Sequence, residues 1–443
     1  MTSVPIYTFP HGIHPDDRKA VTSSEAILKV IPKAGSTLVF PMLQHLGAPC
    51  DPTVAPGDAV LLGQMIGDSQ RPVSSPVHSS VSGTVKEIRQ CLTPTGIVCQ
   101  GVCIENDGRD QGFRPKDLKK GEIPDSQTIL QLIRSAGIVG LGGAGFPTHV
   151  KLNPPPGKNI DVIIVNASEC EPYLTTDHRV LLEDSHRLCL GLNVILSLFP
   201  SAKGIIAIET NKRDAIEKML ETAKEFPRIE VVGLAPKYPQ GAEKQLIYAC
   251  TKREVPSGGL PADIGCLVDN VDTVIAIERA VHRRRPLIRK VVTITGGAAA
   301  KPGNYEVRLG MRFSDLMEAV GGFKSEPYKV IAGGPMMGVA MFDMDVPIIK
   351  TSSAFLLFTE EEGKLPSERT CIRCGKCVEH CPMSLMPFEL NQYAVRHEEE
   401  LFAKNNGLDC IECGSCSYIC PAKRHLAQSI RSMRRDLMSR GKK

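Results

Sequence analysis

At 443 residues, 42% of them hydrophobic and 23% charged with no tryptophan, the chain has room for about three or four domains of ordinary globular composition. A formal net charge of +4 excludes a dedicated nucleic-acid binder, which would concentrate far more positive charge. No apolar run approaches the ~20 residues of a membrane helix, and the opening MTSVPIYTFPHGIHP lacks the charged-then-apolar order of a signal peptide, so any work at a membrane is expected to go through partners.

Over residues 1–105 short apolar runs alternate with Gly, Pro and Ser punctuation, as in LVFPMLQHLGAPC and PTVAPGDAVLLGQMIG, and predict a compact all-β domain. The segments APGDAVLLGQMIG and HSSVSGTV resemble the strand–turn–strand grammar of biotinyl and lipoyl carriers, a barrel–sandwich hybrid. No lysine lies between Lys33 and Lys86 to accept such a group, which argues against a carrier role. His11 and His14 have no third ligand nearby and read as a turn rather than a metal pair. The polar stretch 106–127 reads as a linker.

Residues 125–285 switch to alternating helix and strand. Ile129, Leu132, Ile133 and Ala136 share a helical face, DVIIVNA is a short buried strand, and 176–198 has helical periodicity. GIIAIET, RDAIEKMLETAKEF and RIEVVGL continue as strand, helix and strand, the wiring of a mostly parallel sheet whose ligands sit at the strand C-termini. Before the first strand lies GIVGLGGAGFPTHVKL, whose glycines leave backbone N–H groups open to phosphate oxygens. The loop does not follow a strand, so it is not the dinucleotide fingerprint, and taken alone a structural turn explains it equally well.

The small domain expected over 288–345 opens strand, strand, short helix through RKVVTITGGAAAKPGNYEVRLGMRFSDLMEAVGG; YKVIAGGPMMG adds a strand and a turn. GGPMMG reads as structural rather than anion-binding, since Pro335 removes an N–H. HRRRP (282–286) reads as a solvated linker.

Over 365–425 the chain carries CIRCGKCVEHCP and CIECGSCSYICP, each C-x₂-C-x₂-C-x₃-C-P. This is the run that binds [4Fe–4S] clusters in bacterial ferredoxins, the fourth cysteine ligating the other cluster. One cluster is therefore assigned Cys371, Cys374, Cys377 and Cys420, and the second Cys410, Cys413, Cys416 and Cys381. Zinc sites pair two C-x₂-C knuckles and do not require this duplicated run. The other eight of the 16 cysteines are scattered, which with cluster ligands implies a reducing compartment, the cytoplasm. In the basic tail, 426–443, Leu426, Ile430, Met433 and Leu437 line one helical face, which reads as packing on the ferredoxin domain in preference to docking on a membrane partner or an anionic lipid surface.

GGAGFPT, NASECEPYLTTDHR, YPQGAE and VDNVDTVIAI occur in the order of the flavin site in the NADH-binding 51-kDa-type subunit of complex I, which this domain resembles. The resemblance implies FMN held by Gly140, Gly142, Gly143, Ala144, Gly145, Lys151, Asn166, Asn270 and Thr273, with Glu169 and Glu171 near nicotinamide and ribose. Leu141, Ser168 and Leu152 stand where that family has arginine, aspartate and tryptophan. The 288–345 segment resembles the β-grasp (SLBB) module that follows the flavin domain in the same complex I protein.

Across residues 5–425 the order of barrel–sandwich hybrid, FMN α/β domain, β-grasp and twin-cluster ferredoxin domain resembles the RnfC/RsxC family of the Rnf ion-translocating electron transport complex, in a form without the long Ala/Lys-rich C-terminal extension of some members. That implies an NAD-linked oxidoreductase subunit with FMN, two [4Fe–4S] clusters and NAD(H) as substrate, peripheral at the cytoplasmic face of the membrane. Implied partners are the membrane-embedded and iron–sulfur subunits of the complex and, indirectly, ferredoxin; the whole couples electron transfer between ferredoxin and NAD(H) to Na⁺ or H⁺ movement. A soluble FMN/iron–sulfur NADH dehydrogenase, or an electron-transfer scaffold without its own NADH site, stays open at the level of sequence.

Overall fold

The computed structural model describes residues 4–112 and 123–440; part of the expected linker lies outside them. Its centre is a five-stranded, wholly parallel sheet in the order Ile6–Tyr7, Ile229–Leu234, Lys203–Glu209, Val162–Ala167, Cys266–Asn270. Its inner strands are β-branched and apolar because both faces are covered. Ile163, Val165, Ile206 and Ile208 enter one core, under helices that include Ser126–Ser135, Ser185–Leu198 and Val271–Arg283. Val162, Ile164, Ile205 and Ala207 enter the other, against Glu243–Thr251. Strand alternation thus splits one apolar run between two cores.

From Val162–Ala167 the chain winds outward through Lys203–Glu209 and Ile229–Leu234, then returns to place Cys266–Asn270 on the other side. The switch in strand order therefore falls between Val162–Ala167 and Cys266–Asn270, with Asn166 directly opposite Asn270 at their C-terminal ends. Open α/β sheets leave a crevice for ligands at such a point. The periodic stretch 176–198 is two helices, Thr176–Glu183 and Ser185–Leu198. Asp184 leaves helical geometry between them and pairs with Arg187 and Arg279, and a short acidic side chain with such partners favours a helix boundary over an interior.

The barrel–sandwich hybrid is built from Thr37–Pro41, Val98–Asn106, Gly83–Leu92 and Ala59–Val60 in one sheet and Asp51–Pro52, Met65–Asp68 and Val77–His78 in a second, around a core that includes Phe40, Ile66 and Ile104. The first thirty residues pair elsewhere. Ile6–Tyr7 extends the parallel sheet, and Leu28–Val30 closes an edge of the six-stranded β-grasp sheet beside Gly303–Arg308. Short strands of this kind cover sheet edges that would otherwise present unpaired backbone.

In the C-terminal domain, short helices Lys376–Glu379 and Ser415–Ile419 each start after a glycine in the left-handed region, Gly375 (φ 76°) and Gly414 (φ 79°). Only a residue without Cβ makes that turn without strain. The last helix, Leu426–Arg440, packs Leu426, Ile430 and Met433 into this domain's core, and its Arg431 and Arg434 pair with Glu412. Its apolar face is therefore occupied within the chain. Among the described residues no helix is long and apolar enough to cross a membrane.

Lys350 joins the first three domains. Its buried ammonium donates to the carbonyls of Pro76 in the barrel (2.6 Å) and Gly137 beside the glycine loop (2.8 Å). Burial lowers its pKa from 10.5 to about 8. The unfolded chain then binds more protons than the folded one between about pH 8 and 10.5, so this group makes stability rise with pH across that window. Melting temperatures measured over the same window should rise less steeply in Lys350→Met than in the wild type.

Candidate functional site

The glycine loop crosses the mouth of the switch-point crevice. Gly140 N–H bonds Phe146 O (2.9 Å), Leu141 N–H bonds Thr273 Oγ1 (2.8 Å), and Gly145 O accepts from Leu46 N–H of the barrel (3.0 Å). Gly142, Gly143 and Ala144 are exposed, and their N–H groups have no acceptor among the described residues. A Cβ at Gly142 would stand 3.1 Å from Asn270 Cβ, one at Gly145 would stand 2.8 Å from Thr351 Cγ2, and Gly143 has φ +127°. Open amides in a cradle where side chains are strained or crowded fit a phosphate-bearing cofactor.

The expected FMN residues gather around this loop. Asn166 Nδ2 donates to Gly241 O (2.8 Å) and its Oδ1 accepts from Ser168 Oγ (2.6 Å). Asn270 caps Val271–Arg283 through Asp272 N–H (3.0 Å) and donates to Asp177 Oδ2 (2.7 Å). Thr273 is fully buried and holds the loop through Leu141. Lys151 is more engaged than sequence reasoning anticipates, since it donates to Val268 O (2.7 Å) and to the buried carboxylate of Asp269 (3.1 Å). Much of its charge is matched internally. Gln240, in YPQGAE, is fully buried with neither amide atom bonded among the described residues, a second sign of a polar space beside Asn166 and Gly241.

Beyond Val162–Ala167 runs the acidic loop 168–175, and two buried lysines hold its carbonyls. Lys212 donates to Ser168 O (2.6 Å) and Glu209 Oε2 (3.2 Å). Lys19, from the N-terminal segment, donates to Glu169 O (2.7 Å), Glu171 O (2.9 Å) and Leu174 O. Burial lowers the Lys19 pKa, with Glu169 opposing. Glu169 sits at φ +50° and accepts from Asp177 N–H (2.7 Å) and His178 N–H (3.3 Å), so it caps Thr176–Glu183. Glu171 accepts from Met336 and Met337 N–H (3.0 Å each) and lies 3.4 Å from Tyr238 OH. Burial raises Glu171 to about 7, and burial together with the Glu169 charge raises Asp177 to about 7. The GGPMMG turn is structural as expected, yet its amides bind an anion after all, the carboxylate of Glu171.

Lys19, Lys212, Asp177 and Tyr238 complete this site, and sequence reasoning gave none of them a role. Lys19 and the loop it holds lie far apart in sequence, which leaves no local signal. His11 Nδ1 donates to Glu379 O (2.8 Å) and His14 Nδ1 to Pro236 O (3.2 Å), so both histidines are fasteners.

Four of the eight motif cysteines share a cavity and the other four differ from them in exposure. Cys381, Cys410, Cys413 and Cys416 line one cavity closed by apolar side chains such as Leu385, Leu390 and Ile430. Cys371 and Cys374 are exposed, with Cys377 and Cys420 half-buried. The halves repeat each other in detail: Arg373 N–H points at Cys371 Sγ and Glu412 N–H at Cys410 Sγ, each at 3.4 Å with the donor residue in the left-handed region. Burial pushes Cys410 up to about 11 and raises Cys416 and Cys381 as well. Among the described residues no three His, Cys, Asp or Glu side chains are grouped to hold a single ion. Four thiols around a shared cavity fit the larger cubane.

Matches to family models run the length of the chain: RnfC barrel sandwich hybrid domain (residues 7–109), Nuo51 FMN-binding domain (133–279), SLBB domain (291–340) and 4Fe-4S dicluster domain (365–430). The chain is 46% identical over 439 residues to the C subunit of the proton-translocating ferredoxin:NAD(+) oxidoreductase complex of Clostridium ljungdahlii, covering 98% of this chain and 95% of that one. It is 44% identical over 438 residues to the C subunit of the Na(+)-translocating ferredoxin:NAD(+) oxidoreductase complex of Acetobacterium woodii, covering 98% of each. Among solved structures, an NAD+-reducing [NiFe]-hydrogenase in the air-oxidized state shares the fold over 71% of this chain and 61% of that one, with a TM-score of 0.50 and 19% identity.

Replacing Lys19 by Met leaves three carbonyls, that of Leu174 buried and those of Glu169 and Glu171 partly so, without their donor and removes a buried cation. Denaturant unfolding should show a loss of about 3–5 kcal/mol, whereas Lys29→Met on an exposed strand should change stability by less than about 0.5 kcal/mol.

Proposed function

The chain belongs to the RnfC family, the C subunits of ion-translocating ferredoxin:NAD(+) oxidoreductase complexes, and from that membership we propose that it is the peripheral, NAD(H)-reactive member of such a complex at the cytoplasmic face of the membrane. It carries FMN and two [4Fe–4S] clusters. Its partners are the membrane-embedded and iron–sulfur subunits, which move Na⁺ or H⁺ as electrons pass between ferredoxin and NAD(H). The near full-length relationship supports this reading over a soluble dehydrogenase module.

The observation that carries it is the set of open amides at Gly142, Gly143 and Ala144, facing the Asn166–Asn270 switch point in a chain that also gathers four thiols around one cavity. The loop amides bind the FMN phosphate, with Lys151 contributing its remaining proton. Asn166, Asn270 and Thr273 shape the crevice from the sheet side. Glu169 and Glu171 face nicotinamide and ribose; a carboxylate has about four acceptor positions, so capacity for ribose hydroxyls remains beyond their backbone partners. When bound, FMN exchanges hydride with nicotinamide and passes single electrons to the clusters.

Cys381, Cys410, Cys413 and Cys416 hold the inner cluster. Tyr238, from the flavin domain, touches this set directly at Cys413 O. Cys371, Cys374, Cys377 and Cys420 hold the outer one on a stretch where Ile372 is 68% exposed and Arg369, Arg373 and Lys376 have no ion partner among the described residues. That exposed, partly apolar stretch, with Arg369, Arg373 and Lys376 set against Glu368 and Glu379, meets a redox partner within the complex.

Anaerobically reconstituted chain should contain one flavin and about eight irons, and NADH should bleach it. Gly143→Val, which puts a β-branched side chain at φ +127°, should lose flavin and keep iron. Absence of flavin from the wild type, or about four irons, would contradict the reading. Arg373→Glu combined with Lys376→Glu should leave NADH reduction of the chain's own clusters intact and slow electron exchange with the assembled complex, most clearly at low salt.

A further inference from the structure

The acidic loop, the β-grasp turn and the inner thiol set meet at one phenol. Tyr238 is 1% exposed, its hydroxyl 2.8 Å from Cys413 O and 3.4 Å from Glu171 Oε1. A phenol has a single proton to donate, and the shorter contact takes it. Each Glu171 oxygen already accepts one amide, Oε2 from Met336 and Oε1 from Met337, and the 2.8 Å contact to Cys413 O is the better placed for the phenol proton. The surroundings are tight as well as apolar. A Cβ at Gly334 would lie 2.3 Å from Glu171 Oε2, one at Gly414 would lie 3.1 Å from Met336 O, and Ile13, Met336 and Ile411 enclose the joint. Inside such a low-dielectric enclosure an O–H···O=C bond has more electrostatic weight than it would in water.

The two halves of the cluster motif are not equal in this respect. Cys374 is the counterpart of Cys413 in the repeat, and its carbonyl accepts no side-chain hydrogen bond among the described residues. The potential of an iron–sulfur cluster responds to charge, hydrogen bonding and exposure around its ligands. A hydroxyl dipole with its positive end on the Cys413 peptide makes added negative charge at that cluster less unfavourable.

We propose that Tyr238 is a positioning residue that fixes the inner ligand loop against the flavin domain and, through the Cys413 carbonyl, raises the reduction potential of the inner cluster relative to the outer. The inference rests on the cluster reading given above.

The test is a potentiometric titration of the anaerobic holo-chain followed by EPR. The outer cluster is identified by broadening with a soluble paramagnetic chelate, which reaches exposed Cys371 and Cys374. Tyr238→Phe, which keeps the ring and deletes the donor, should lower the inner midpoint and leave the outer one in place. Fluorotyrosine at position 238, a stronger donor of nearly the same size, should move the inner midpoint up; it decides the matter if the Phe variant fails to hold its clusters. Unchanged inner midpoints, or a shift confined to the outer cluster, would overturn the proposal. A wild-type chain lacking two reducible clusters would overturn the underlying reading of the thiols as well, and that result is distinct from both.

Discussion

Two buried ammonium groups hold the part of this molecule from which the rest takes its position. Lys19 and Lys212 together donate to the carbonyls of Ser168, Glu169, Glu171 and Leu174, and so fix a loop that has Glu169 and Tyr173 in the left-handed region. Such a loop cannot form a regular ladder, and its inward carbonyls would be costly without donors. Once fixed, it passes its geometry on through a chain of contacts. Cys170 Sγ accepts from Gly241 N–H, Gly241 O accepts from Asn166, and Glu171 anchors the β-grasp turn. Tyr238, just before that glycine, reaches the inner thiol set. The crevice and the cluster domain are thus set against each other by short polar contacts rather than by a flexible linker.

Much of this was legible from residues alone, wherever the responsible interactions are local. The C-x₂-C-x₂-C-x₃-C-P runs carry their ligands within a dozen positions, so spacing suffices, and the folded chain draws Cys381 across to the second run as the motif requires. The parallel sheet and the glycine loop were visible for the same reason. Illegible were features that depend on partners far away in sequence. Leu28–Val30 joins the β-grasp sheet, Lys19 reaches the acidic loop, and Lys151 meets Asp269 across the crevice. The break at Asp184 lies between these cases: the apolar period runs straight through it, and only Arg187 and Arg279 show why the helix stops.

The inequality of the two thiol sets gives the chain a direction. The inner set, with Cys381 and Cys413 buried and Cys410 and Cys416 half-buried, touches the flavin domain; the outer set, with Cys371 and Cys374 exposed, lies beside cations that have no ion partner among the described residues. A protein that only stored electrons would gain nothing from that asymmetry. A protein that passes them between a nicotinamide-facing crevice and a membrane-bound partner needs both ends, one shielded and one accessible. Family membership puts the chain in a complex in which electrons pass between ferredoxin and NAD(+).

The order of reduction tests it most directly. Oxidised holo-chain would be mixed anaerobically with NADH, frozen at increasing times and read by EPR, with a soluble paramagnetic chelate to mark the exposed cluster. The shielded cluster should gain its signal first and the exposed one afterwards. Appearance of the exposed cluster's signal first, or of either signal in flavin-free chain, would contradict the account.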